Sequence, residues 1–154
     1  RDYEWELMPL GLDQNVGAIV WSPLSSGLLG GKYRRNQELP QDSRVAQGGS
    51  PIPGTVINYE QLYNLVDVLD EVAKETGKTV AQVAINWVAQ RPTVSSIIIG
   101  ARNRQQLEQN LDAVGWNLTH EQIKKLDSAS DLPTAYPYWH QRQNLRLNPI
   151  PKFY

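Results

Sequence analysis

With 154 residues, 40% of them hydrophobic and 20% charged, and with five Trp and seven Tyr, the chain carries enough apolar mass for one globular domain. Its 15 Lys and Arg against 16 Asp and Glu leave a formal net charge of −1, so no overall electrostatic pull toward nucleic acid or acidic lipid is expected, and a small-molecule partner is. Cysteine is absent, which excludes disulfides, thiolate nucleophiles and Cys-ligated metals.

No apolar run approaches the roughly 20 residues that span a bilayer, and Arg1 to Glu6 carry no signal-like apolar stretch, so a soluble, cytoplasmic protein without a membrane partner is expected. The chain opens on Arg1-Asp2-Tyr3-Glu4-Trp5 and its one methionine is Met8, which reads as a piece of something longer. Residues Tyr3 to Asn15 suit a short helix ending at the turn-prone Asp13-Gln14-Asn15. Val16 to Trp21 is an apolar run without alternation, predicted to be a parallel strand buried on both faces. After Ser22-Pro23, the stretch Leu24 to Lys32 is too rich in Gly for a regular element but suits a backbone that approaches a ligand closely. Residues 33–57 read as a long polar loop with Pro40, Pro51 and Pro53, and loops of that length are usually functional.

Leu62, Leu65, Val66, Leu69, Val72 and Ala73 have helical spacing and stop at Gly77. Thr79 is a candidate N-cap for a second helix with Val80, Val83, Ala84, Trp87 and Val88 inward, stopped by Arg91-Pro92. Val94 to Ile99 is the second predicted strand. Asn103 can cap a helix with Leu107, Leu111 and Val114 as its apolar stripe, and Thr119 to Gln122 resembles a capping box. From Asp131 to Tyr154 the Pro-rich, aromatic tail is predicted to be extended rather than helical. The alternation of strands and helices is that of βα units, and because two parallel strands cannot cover both faces of a sheet, the intact fold should contain more strands.

Two motifs stand out. Trp21-Ser22-Pro23-Leu24-Ser25-Ser26-Gly27-Leu28-Leu29-Gly30-Gly31-Lys32-Tyr33 and Ile98-Ile99-Gly100-Ala101-Arg102-Asn103-Arg104-Gln105-Gln106-Leu107-Glu108-Gln109-Asn110 each follow a strand. Taken alone, a Gly-rich stretch is more often a plain turn than a phosphate cradle, and Arg102 could be a solvated cation. Together, at the carboxyl ends of two strands and at a helix start, they suit phosphate binding. The two segments resemble the seventh and eighth strands and following loops of aldo-keto reductases, with Thr79 to Val88 matching the helix between. The resemblance implies that this α/β chain, residues 1–154, is a single unit: the carboxyl-terminal, NADPH-binding portion of a TIM (β/α)8 barrel, incomplete here.

By that resemblance Trp21, Ser22, Pro23, Leu24 and Gly27 contact the ribose and diphosphate. Lys32, Ser43 and Arg44 sit where the family's loop closes over the cofactor, and residues 33–57 are that cofactor-covering loop. Gly100, Arg102, Gln106 and Asn110 match the adenosine end, where the planar fork of Arg102 suits a 2′-phosphate and hence NADP(H). Gln109 stands where an acidic residue is common and accepts a hydrogen bond from the adenine amine more weakly than a carboxylate does. Trp139 is a candidate wall for a small carbonyl substrate. The family's proton donor is a Tyr supported by Lys, Asp and His on earlier strands, and none of those segments is present. No catalytic or metal-binding residue is therefore assigned, and neither His120 nor His140 lies in a catalytic motif. The chain alone is expected to be inactive and to need the amino-terminal barrel strands or another chain. A nucleotide-binding accessory or sensor subunit, of the kind the family supplies to channels, and a purely structural fragment are the alternative readings.

Overall fold

The computed structural model describes residues 1–41, 43, 45–48 and 56–143. A short 3-10 turn, Asp2–Glu4, precedes helix α1, Leu7–Gln14, which feeds strand β1, Ala18–Trp21. A kinked 3-10 segment, Ser25–Gly30, follows. After the loop come α2, Tyr59–Thr76, and α3, Val80–Ala89, then β2, Val94–Ile98, and the helices α4, Arg104–Leu111, α5, His120–Ala129, and α6, Tyr138–Gln143.

The helix boundaries follow local chemistry. Asn58 caps α2 by accepting from the Gln61 amide, and Gly77 closes it in a left-handed conformation. Thr79 and Thr119 each start a helix through a complete capping box, with Gln82 and Gln122 returning the second hydrogen bond. The stripe predicted on α2 is the one that packs: Leu69, Val72 and Ala73 meet Val80, Val83 and Ala84 of α3 together with Leu118 and Leu126. A second cluster joins Leu62 and Val66 to Leu28 and Tyr33, so the root of the glycine-rich segment is anchored on α2.

β1 and β2 pair in parallel, Ile19 with Ser96, Val20 with Ile97 and Trp21 with Ile98, with an irregularity between Ala18 and Ile19. The approach is close at the strand starts, where a Cβ on Gly17 would lie 1.9 Å from the Ser95 hydroxyl oxygen, so any larger residue would force the Ser95 side chain to move.

Three expectations need correction. The strands are not buried on both faces: Ala18 and Val20 are half-buried, whereas Ile19, Trp21 and Ile98 are 67%, 68% and 58% exposed. No second layer lies on that face among the described residues, so the apolar run reads as buried while half of it is bare. The stripe of α4 is likewise open, with Leu107, Leu111 and Val114 all exposed and no residue of the helix buried. The tail is not uniformly extended, since residues 138–143 form α6; Pro137 just before it fixes φ and needs no amide partner, and the next residues contain no helix breaker. Residues 144–154 lie outside the described residues.

Candidate functional site

Because Trp21 and Ile98 are register partners, the chain leaves both strands at the same level, and the two loops singled out in the sequence start side by side. On the first side the backbone coils tightly. Ser22, Ser25, Ser26 and Gly27 have φ of 56°, 47°, 58° and 93°. A Cβ on Gly27 would meet nothing within 4 Å, so glycine is required there by conformation and not by space. The amides of Ser25, Gly27 and Leu29 turn inward, to Ser22 O at 2.9 Å and to Leu24 O at 2.9 and 3.2 Å. The amide of Leu24 has no backbone acceptor among the described residues, which leaves it available to an anionic oxygen. Pro23 is half-buried, and the Trp21 indole and Ser22 are exposed at the strand end.

On the second side Asn103 caps α4 by accepting from the Gln106 amide at 2.8 Å. The Gln106 side chain in turn accepts from the Arg102 amide at 2.9 Å, and Asn110 donates to the Gly100 carbonyl at 3.1 Å. Gly100 to Arg102 is thus folded back against α4, and Arg102 projects at the helix start, exposed. Two residues expected at the adenosine end, Gln106 and Asn110, brace the loop that carries Arg102. Gln109 is exposed, and its main-chain carbonyl accepts from Gln82 at 3.0 Å.

The other assigned residues are more scattered. Lys32 is exposed just past the coiled segment, whereas Ser43 is buried and accepts from the Ala46 amide at 3.2 Å within its own turn. Arg44 lies outside the described residues. Trp139 is 43% exposed, 6.4 Å from the Tyr136 ring and edge-on to His140. Its helix is held by Tyr138, which stacks on Trp5 at 5.1 Å and donates to Glu6. The Glu6 carboxylate raises the Tyr138 hydroxyl above its ordinary value, which makes Tyr138 a poorer proton donor.

Among the described residues no group of three or more His, Asp or Glu side chains could hold a metal. An open, apolar groove of about 220 Å³ lies between β2, α3 and α4, lined by Ile85, Ala89, Val94, Ile97, Ile99 and Leu111. No residue of the 22–27 coil lines it, so it is a gap in packing on the helix side and not the crevice between the loops. The donor set at the strand ends, a capped helix start with Arg102 and a coiled backbone with an available amide, fits a phosphorylated dinucleotide.

The sequence reading missed Gln82 and Asn86, both buried on α3. Asn86 donates to Ala113 O at 2.8 Å and Trp116 O at 2.9 Å, and accepts from Gln90. The signal was present in part, because Thr79-Val80-Ala81-Gln82 has the same capping-box spacing as Thr119 to Gln122.

The chain matches the model of the aldo/keto reductase family over residues 1–131. It is 41% identical over 120 residues to a probable voltage-gated potassium channel subunit beta of Arabidopsis thaliana, covering 72% of this chain and 34% of that protein. It is 38% identical over 109 residues to L-glyceraldehyde 3-phosphate reductase of Escherichia coli, covering 70% of this chain and 31% of that protein. Among solved structures it resembles the glycerol dehydrogenase of Gluconobacter oxydans, with a TM-score of 0.67, 27% identity and coverage of 88% of this chain and 42% of the other. The chain thus spans about a third of the curated relatives it matches, and its fold is part of their barrel. No described helix is long and apolar enough to cross a membrane. With both loops at one sheet end and the family match over residues 1–131, the chain belongs to the aldo/keto reductase family of oxidoreductases.

Proposed function

We propose that this chain is the carboxyl-terminal, NADP(H)-binding portion of a cytoplasmic aldo/keto reductase that reduces an aldehyde or ketone to an alcohol. The observation that carries the reading is the parallel pairing of Trp21 with Ile98, which sets the Ser22 to Gly27 coil beside the Arg102 loop. The coil, through the Leu24 amide and the Ser22 hydroxyl, takes the diphosphate and ribose. Gly100 and Arg102, at the start of α4, take the 2′-phosphate, where the helix dipole and a planar guanidinium reinforce each other. Lys32, Ser43 and Arg44 belong to the loop that covers the cofactor, Gln109 faces the adenine, and Trp139 borders the substrate. When bound, the nicotinamide supplies hydride; what this chain contributes is the grip on the nucleotide. The proton donor comes from the amino-terminal strands of the barrel, or from another chain that supplies them.

NADPH should therefore bind more tightly than NADH, by on the order of tenfold to a hundredfold, since one charge-assisted bidentate contact contributes roughly 1.5–3 kcal/mol. Arg102→Ala should remove most of that preference. Quenching of tryptophan fluorescence during titration with each nucleotide measures it, and equal affinities in the unaltered protein reject the assignment. The similarity to potassium channel beta subunits supports a second reading, a nucleotide-binding accessory subunit. Co-expression with the amino-terminal portion of a related reductase separates the two: NADPH-dependent reduction of 4-nitrobenzaldehyde by the complex favours the reductase, and tight NADPH binding without turnover favours the accessory subunit.

A further inference from the structure

Helix α4 presents the residues proposed to hold the 2′-phosphate, yet it has no buried residue, and its leucines Leu107 and Leu111 are 42% and 54% exposed. An apolar face therefore does not fix its pose. Its carboxyl end shows what does. The last-turn carbonyls of Glu108, Asn110 and Leu111 accept from the amides of Asp112, Ala113 and Val114. The Gln109 carbonyl is served instead by the Gln82 side chain at 3.0 Å. One helical turn further along α3, Asn86 is 1% exposed and donates both amide hydrogens, to Ala113 O at 2.8 Å and Trp116 O at 2.9 Å. Gln82 and Asn86 are four residues apart, so they form one polar row on α3, facing the end of α4. Each is locked from its other side, Gln82 by the Thr79 amide at 2.9 Å and Asn86 by Gln90. From the clamped end the connection runs back through Asn110 to the Gly100 carbonyl, and through Gln106 to the Arg102 amide.

We infer that Gln82 and Asn86 are positioning residues for the phosphate site: by holding the carboxyl end of α4 they set the direction of its amino end and hence of Arg102. This rests on the nucleotide reading above and adds to it a control that touches no ligand. A bidentate contact to phosphate tolerates little angular error, whereas contacts shared by NADPH and NADH on the Ser22 to Gly27 coil do not depend on α4. Loss of the clamp should therefore lower affinity for NADPH and spare NADH. A variant that merely unfolds part of the population weakens both nucleotides by the same factor, so the ratio of the two affinities reports positioning and not stability.

The test titrates NADPH and NADH against the unaltered protein, Arg102→Ala, Asn86→Leu and Gln82→Leu, with folding checked by circular dichroism. Asn86→Leu keeps the branched shape but strands two carbonyls; if it does not fold, Asn86→Ser and Gln82→Leu carry the measurement. The expected result is a fall in the NADPH:NADH affinity ratio of about tenfold for the Asn86 variant, most of what Arg102→Ala removes. A ratio unchanged in the folded Asn86 and Gln82 variants, while Arg102→Ala abolishes it, overturns the positioning role alone. An unaltered protein with no NADPH preference, or an Arg102→Ala variant that keeps one, overturns the nucleotide reading and this inference with it.

Discussion

Asp127→Ala should be among the most destabilising single substitutions outside the apolar core. The Asp127 carboxylate on α5 bonds the Arg91 guanidinium and accepts the Trp87 indole N–H at 2.9 Å, with an Arg1 nitrogen 3.8 Å away. The Arg91 and Asp127 side chains are only 7% and 14% exposed, and Arg91 lies 3.8 Å from the centre of the Trp87 ring. Removing one partner of a buried pair strands the other charge, which costs about 3–5 kcal/mol, and the lower part of that range applies where some solvent reaches the carboxylate. At a typical urea slope of about 2 kcal/mol/M, a loss of about 3 kcal/mol moves the unfolding midpoint by about 1.5 M. Glu75 and Lys125 supply the internal control, since this pair also ties α5 to the helical layer, here through α2 and not the end of α3, at 2.5 Å but with side chains 41% and 45% exposed. Solvent screens it, and Glu75→Ala should leave the midpoint nearly unmoved. The double variant Arg91→Met with Asp127→Leu should recover most of the loss, because two apolar side chains leave no charge unpaired. Urea unfolding followed by tryptophan fluorescence measures all three. Equal midpoints for Asp127→Ala and Glu75→Ala would refute the weighting of burial over distance.

Acid should expose a different ion pair. Lys74, and after it Arg34, hold the Asp70 carboxyl below its ordinary value, so its contribution is fully present above about pH 4 and is lost as pH falls through the lowered folded value. Asp70→Asn should therefore lose less stability than the unaltered protein between pH 6 and pH 3, and parallel losses in urea midpoint would contradict this. Gly27→Ala puts a side chain at φ of 93° with nothing for it to strike, so a strain of about 1–3 kcal/mol should be spent in reshaping the coil. NADPH and NADH should weaken together, and an effect on NADPH alone would place the coil at the wrong end of the nucleotide. Limited proteolysis within residues 33–57 should slow at saturating NADPH, and an unchanged cleavage rate counts against a covering role.

Local chemistry was legible in the sequence, and long-range pairing was not. Asn103 and Thr119 were readable as caps because a capping side chain bonds an amide three residues away, inside any reading window. Gly77 was readable for a similar reason. The existence of both strands was legible as well, from apolar runs bounded by turn residues. Which face of β1 is covered was not, because Ile19 and Val20 are equally apolar and only the neighbours decide between them. Gln82 and Asn86 were overlooked because an amide inside an apolar helix carries no mark of its partners, which here are carbonyls on α4 and the turn beyond it. The candidate site divides in the same way. The glycine of the coil and the arginine at the helix start show in the sequence, but their adjacency depends on the Trp21 to Ile98 register. Gln106 and Asn110, expected at the adenosine end, also hydrogen-bond the main chain of the loop, a contact the sequence does not display.

The two faces of the sheet differ in what covers them. On the helical side α2, α3 and α5 share one core, α3 holds the end of α4 and the turn beyond it, and the loops proposed to meet the nucleotide are rooted in that layer. The other side presents Ile19, Trp21 and Ile98 to solvent, on parallel strands of a kind found covered on both faces. Apolar surface of this extent drives association, because each large side chain removed from water contributes roughly 1.5–3 kcal/mol. Under the proposed function, nucleotide affinity should follow the residues named here, while turnover should follow whatever covers the bare face and brings a proton donor with it. Without a positioned acid the alkoxide that forms as hydride arrives has no stabilising partner, and acid and electrostatic assistance each supply orders of magnitude in rate. The Glu6 carboxylate that accepts the Tyr138 hydrogen bond raises the pKa of that hydroxyl, which disfavours release of its proton.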